Sequence, residues 1–153
     1  MSDFFTQLCA MQKLGQALRA AHPSWKITYI QESWQGDQWL REICHRCDQG
    51  PLVYAQTLVP IETYRTHEAE LTALGARSIG DHFLFLHPEM RREPFTCNLI
   101  TAAHPLHSLL SHHLGPEAVF YKRASVFYLG KNSLTIAEYF GEKALSALGI
   151  SPP

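Results

Sequence analysis

No stretch of this chain of 153 residues approaches the roughly 20 apolar residues in a row that a bilayer-spanning helix needs. Charge of one sign is also missing. Thirteen Lys and Arg stand against 14 Asp and Glu, and the net charge of −1 removes the bulk electrostatic case for nucleic acid or an acidic membrane surface. Four cysteines are too few for a disulfide-dense scaffold, so reduced thiols in a cytoplasm are the expectation. Proline and glycine, nine each, are too sparse for a disordered or collagen-like chain, and no repeat or low-complexity tract divides the sequence. There is no nucleophile elbow, phosphate-binding loop or dinucleotide fingerprint. The opening MSDFFTQLCAMQKLG has an Asp where a signal peptide carries positive charge, so it reads as the start of the folded domain.

What is present is apolar content of 46%, enough for one domain spanning residues 1–153 with a real core. Phe4, Leu8, Met11, Leu14 and Leu18 recur at helical spacing and predict one amphipathic helix from Phe4 to Ala21. Strands are expected over Lys26–Glu32, Gln38–Arg46 and Leu52–Val59, the last two joined by the turn residues of CDQGP. A helix capped by Thr63 should run to Leu74 and stop at Gly75, with a short helical piece over Ile79–Leu86 and another between Pro105 and Leu114. Val119–Leu129 and Ser133–Phe140 read as a hairpin closed by Gly130-Lys131-Asn132. Hairpins interleaved with helices, without regular βαβ alternation, define an α+β class: an antiparallel sheet with helices over one face.

Strand alternation makes two residues conspicuous. Leu134, Ile136, Glu138 and Phe140 share a face, so a carboxylate sits on the more apolar side of the final strand. Trp39, Arg41 and Ile43 share a face as well, which sets a guanidinium among large apolar groups. An unpaired buried charge costs several kcal/mol, roughly, so each needs a partner. Three arrangements satisfy that demand. The two residues pair with each other, or their strands lie at a sheet edge where both reach water, or both face a pocket that reads a small polar molecule. In the last case Arg41 holds a carboxylate by its planar fork and Glu138 accepts a hydrogen bond from a hydroxyl, with Trp39, Ile43 and Phe140 as apolar walls. The ligand implied is small, cyclic and anionic, with a hydroxyl away from its carboxylate.

Beyond these patterns, the chain from about residue 26 to 143 resembles the chorismate pyruvate-lyases of ubiquinone biosynthesis. The resemblance is carried by Trp39-Leu40-Arg41-Glu42-Ile43, Gly50-Pro51, Ala55-Gln56-Thr57-Leu58-Val59-Pro60, Leu74-Gly75, Ile79-Gly80, Leu84-Phe85 and Arg91 or Arg92. Lys122-Arg123-Ala124-Ser125, Gly130 and Leu134 to Phe140 around Glu138 complete it. It implies an antiparallel sheet with an internal ligand under helical flaps, and conversion of chorismate to 4-hydroxybenzoate and pyruvate without metal or organic cofactor. It also implies Arg41 as the carboxylate anchor, Glu138 as the residue meeting the ring hydroxyl, and Ile79 and Leu14 as flap residues, the Ile79 amide also meeting the carboxylate. Two departures stand out. Leu14 lies between Lys13 and Gly15 where that family carries Ser and Thr, and Glu138 is followed by Tyr139-Phe140-Gly141 where it carries Phe-Leu-Pro.

Other readings compete. Cys44-His45-Arg46-Cys47 has CxxC spacing, and Cys97, His104 or His107 would have to complete a zinc site, yet no second CxxC or regular His pair does so. His104, His107, His112 and His113 read as a solvated helix surface. The same fold serves as the effector-binding domain of some bacterial transcription regulators, so a non-catalytic binding module is the alternative, as is a related enzyme on another cyclic anion. Against the regulator, only about 25 residues precede the matched stretch, too few for a DNA-binding region. The sequence carries no signal for oligomeric state.

Overall fold

The computed structural model describes residues 2–152. Two short helices, α1 (Ser2–Ala10) and α2 (Leu14–Ala21), lead into three consecutive antiparallel strands, β1 (Lys26–Gln35), β2 (Gln38–Cys47) and β3 (Gly50–Pro60). Helix α3 (Ile61–Thr72) follows, then α4 (Ile79–His82) with a 3-10 turn at Leu84–Leu86, and the short strands β4 (Met90–Arg92) and β5 (Thr96–Ile100). Helix α5 (His107–Leu114), the hairpin β6 (Phe120–Leu129) and β7 (Asn132–Phe140), and α6 (Glu142–Ala147) complete the chain. The sheet order is β1-β2-β3-β7-β6-β4, with β5 also paired to β6, and every pairing is antiparallel. The α+β class expected from the sequence is the one observed.

The final hairpin closes in two residues, Gly130 and Lys131, with Gly130 at φ +64°, a left-handed conformation that suits glycine. Asn132 already belongs to the strand. Thr63 does not cap α3. That helix starts directly after Pro60, and the Thr63 hydroxyl instead donates to Ser133 O at 2.7 Å and accepts from Ser133 N at 3.1 Å, tying α3 to β7. Strands β4 and β5 and helix α6 were not foreseen. Each is three to six residues long, too short to leave a periodic signature.

The expected single N-terminal helix is the main local correction. The chain breaks at Met11-Gln12-Lys13, and the reason is tertiary: Arg123 Nη1 donates to Leu8 O at 2.9 Å and Met11 O at 2.7 Å, drawing these carbonyls toward β6. The helices also do not all lie on one face. Tyr54, Ala137, Tyr139 and Phe120 form a cluster with Leu110 of α5 on one side of the sheet. The other side carries two clusters. One gathers Phe4, Leu8, Leu14, Leu18, Val53, Tyr121, Phe140 and Leu145 under α1, α2 and α6; the second gathers Trp39, Val59, Leu71, Phe83, Leu84, Phe127 and Leu134 under α3 and α4. Between them the sheet is left without a continuous apolar lid.

Candidate functional site

That interval is a cavity of about 750 Å³, counted with the open space at its mouth. Its floor comes from alternate residues of five strands: Ile27 of β1, Ile43 and His45 of β2, Ala55 and Thr57 of β3, Ile136 and Glu138 of β7, and Arg123 and Phe127 of β6. Register fixes this set, because Ile43, Ala55, Glu138 and Arg123 are successive cross-strand partners in one row. The roof is the broken stretch Gln12 to Gln16 on one side and Ser78 to Asp81 with Leu84 and Phe85 on the other.

Leu14 and Ile79, far apart in sequence, therefore face the same space, and both are buried. Each is the first residue of its helix, α2 and α4, so its backbone N–H has no intrahelical carbonyl to satisfy it. Ser78 caps α4 by accepting from Asp81 N at 3.3 Å. Gly80 lies so close to the Phe85 ring that a Cβ there would come within 2.8 Å of it.

Glu138 is in the floor, and its partner is Arg123, whose Nε donates to Glu138 Oε1 at 2.7 Å. The Arg123 guanidinium also lies 4.1 Å from the Phe95 ring centroid. The mutual pairing of Arg41 and Glu138 weighed above is thus not what the fold adopts. The edge-strand alternative falls as well, since β2 and β7 both lie between other strands.

Arg41 lies on the strand face that floors the cavity but is not among the residues that line it. Its direct partner on β3, Thr57, and the next residue in that row, Ile136, line the cavity, whereas Arg41 itself is fully buried and does not. Nη2 donates to Gly75 O at 2.9 Å and Arg77 O at 2.7 Å, in the segment that leads into α4. Nε and Nη1 are buried with no hydrogen-bond partner. Burial pushes the guanidinium pKa down, while Glu32 opposes the shift.

His45 was read from sequence only as part of a CxxC segment, yet it lines the cavity. Its position two residues beyond Ile43 on the same strand face was the signal for it. The indole Nε1–H of Trp25, which can only donate, reaches His45 Nδ1 at 3.1 Å, leaving the imidazole proton on Nε2. Burial, with Arg41 and Arg123 nearby, lowers the His45 pKa to about 4, so the ring is neutral at physiological pH. Cys47 belongs to the core beside Phe4 and Leu8, and Cys44 lies buried with its thiol toward His45 O. His113 stacks on Tyr54 at 4.8 Å and 6°, so it is part of a packed face and not of a solvated one. Among the described residues, one group could hold a cation: His67, Glu70 and His87, with ligand atoms within 4.8 Å of one another, on α3 and the loop before β4 and outside the cavity lining.

The described residues form an α+β domain with charged groups buried around a roofed cavity. The comparisons make this specific: residues 26–146 match the family model for chorismate lyase, and the chain belongs to that family. It is 34% identical to a probable chorismate pyruvate-lyase of Psychromonas ingrahamii over 74% of this chain and 59% of that one. It is 35% identical to one from Cupriavidus metallidurans over 65% and 48%, and 28% identical to one from Ralstonia nicotianae over 94% and 81%. The matched region thus spans about half to three fifths of the first two relatives. Among solved structures, the C-terminal domain of a histidine utilization repressor from Pseudomonas syringae superposes with TM-score 0.59 at 11% identity, covering 78% of this chain and 93% of that one. A possible transcriptional regulator of Bacillus subtilis gives 0.56 at 13%, covering 79% and 60%. At such identity they share the fold alone. No helix among the described residues is long and apolar enough to cross a membrane.

Proposed function

We propose that this chain is a chorismate pyruvate-lyase, eliminating pyruvate from chorismate to give 4-hydroxybenzoate for ubiquinone biosynthesis, in the cytoplasm. The observation that carries the reading is Arg41. A buried guanidinium with two nitrogens lacking partners, in the same strand row as the lining residues Thr57 and Ile136, is costly and suited to a carboxylate. Glu138 stands in the next cross-strand row, held in place by Arg123, and so can receive a hydroxyl across a ring from that carboxylate.

The chemistry asks little of the protein beyond orientation. The ring carbon bearing the enol ether loses its C–O bond, the neighbouring carbon bearing the hydroxyl loses its proton, and the ring becomes aromatic. The departing enolate takes up a proton to become pyruvate. Holding the conformer from which these bonds break can supply roughly 7–11 kcal/mol in favourable cases. In this assignment Arg41 and the Ile79 N–H anchor the ring carboxylate, Glu138 fixes the hydroxyl, and Leu14 closes over the ring. His45, neutral and carrying its proton on Nε2, adds a donor to the wall without adding charge.

The product keeps both the carboxylate and the hydroxyl, so it satisfies the same anchors. Product inhibition follows, with release limited by motion of the two roof segments. The test is chorismate turnover, following 4-hydroxybenzoate by liquid chromatography and pyruvate by a coupled assay. Equal amounts of both, abolished in Arg41→Ala, are expected. Saturable binding of 4-hydroxybenzoate without turnover would make the protein a sensor or carrier, and folded protein that does neither would sink the substrate assignment.

A further inference from the structure

Chorismate carries two carboxylates and its aromatic product one, and the anchors named above account for only the shared one. A second cavity meets the first at Gln12, Lys13, Phe85 and Arg92, and adds Met90. We propose that this vestibule, with Lys13 and Arg92 in its wall, is an anion subsite for the side-chain carboxylate of the enol ether. The proposal rests on the lyase reading for the identity of the ligand. The subsite itself rests on the residues below.

Position is the first argument. The ether carbon adjoins the hydroxyl carbon, so with the hydroxyl at Glu138 the side chain leaves the ring at that end. Arg92 lies there. The Phe95 ring contacts two guanidinia, Arg123 at 4.1 Å and Arg92 at 4.5 Å, and Arg123 is the residue paired to Glu138. Arg92 is half-buried, with its Nη2 donating to the Gln12 side chain across the vestibule.

Charge is the second. Among the described residues, neither Arg92 nor Lys13 forms an ion pair. The walls of the two cavities hold three cations, Lys13, Arg92 and Arg123, against two carboxylates, Asp81 and Glu138, and Glu138 is taken up by Arg123. His45 is neutral. Lys13 and Arg92 are therefore the cations of these walls left for a ligand carboxylate. Once elimination has occurred, the ring retains one negative charge and the second departs with pyruvate by way of the vestibule.

The experiment compares wild type with Arg92→Met, Arg92→Lys and Lys13→Met. It measures KM and kcat for chorismate, and calorimetric Kd for 4-hydroxybenzoate and for 3-(carboxymethoxy)-4-hydroxybenzoate, an unreactive aromatic dianion. Arg92→Met should raise KM for chorismate and weaken the dianion by about tenfold, Lys13→Met by about threefold, and both should leave 4-hydroxybenzoate within about twofold, as for loss of one partly exposed charge pair. Arg92→Lys should recover part of the dianion affinity, and unfolding midpoints identify any variant that merely fails to fold. Equal weakening of monoanion and dianion, or no weakening of either, overturns the subsite. Turnover of chorismate with unchanged KM in all three variants removes the subsite and leaves the lyase. Arg92-dependent dianion binding without any turnover removes the lyase and leaves the subsite.

Discussion

Arg41 and Glu42 are neighbours in β2, both fully charged in type and both buried, but they face opposite sides of the sheet. Glu42 is satisfied by the protein. The Tyr54 hydroxyl donates to Oε1, Gln31 Nε2 donates to Oε2 at 2.6 Å, and Gln56 reaches the same tyrosine oxygen at 3.0 Å. The His113 ring of α5 seals the group by stacking on Tyr54. Arg41, by contrast, finds two loop carbonyls for one nitrogen and nothing for the other two. Two charges at equal depth thus play different parts. One completes a hydrogen-bond network and fixes the packing of a face; the other is left incomplete beside a cavity and awaits a partner from outside.

The comparison breaks most directly at Arg41. Arg41→Met should cut affinity for 4-hydroxybenzoate by roughly 10²–10³-fold, as expected when one member of a buried, hydrogen-bonded charge pair is removed. The unfolding free energy should fall by less than about 2 kcal/mol, since a buried unpaired cation is replaced by an apolar chain of similar length. Loss of folding without selective loss of binding would show Arg41 to be structural, like its neighbour.

Acid sharpens the contrast next, through His45 on the cavity face. Its folded pKa is about 4 against an ordinary 6.5, so between those values the unfolded chain binds a proton that the folded chain refuses. Stability from this residue is complete above pH 6.5 and is lost as pH falls toward 4, by up to about 3 kcal/mol. Denaturant titrations from pH 7 to 4 should show that slope, and His45→Gln should flatten it. An unchanged slope in the variant would assign the acid lability elsewhere.

Glu42→Gln probes the opposite face. It should cost about 2 kcal/mol of stability by spoiling acceptors for Tyr54 and Gln31, with ligand affinity unchanged. A selective loss of affinity would mean that the two faces are coupled. The smallest effect is expected from Gly80→Ala in the roof, where the added methyl must displace the Phe85 ring. A stability change of about 1 kcal/mol and severalfold faster release of 4-hydroxybenzoate in stopped-flow would fit a roof that closes less tightly.

Much of the floor was legible because strand alternation is geometric. Placing Arg41 with Trp39 and Ile43, and Glu138 with Ile136 and Phe140, needed only the period of two, and those faces are the ones observed. The same rule applied to β6 would have added Arg123, and applied one step further along β2 would have added His45. The break after Ala10 was not legible, because Leu8, Met11, Leu14 and Leu18 keep helical spacing straight across it. Nor was the partnership of Glu138. A carboxylate's need for a cation is evident from its pattern, but which arginine supplies it depends on which strand lies alongside.

By itself, then, the sequence determined the α+β class, most of the strands, the face on which each buried charge lies, and the family. These follow from local backbone periodicity and from residues adjacent in the chain. Only the tertiary structure decided that Glu138 pairs with Arg123, that Arg41 stays short of partners beside the cavity, and that Leu14 meets Ile79 over one cavity beside Lys13 and Arg92. Those are properties of strand order and of how two separated roof segments converge, and no local pattern encodes the distance between residues that only the folded sheet brings together.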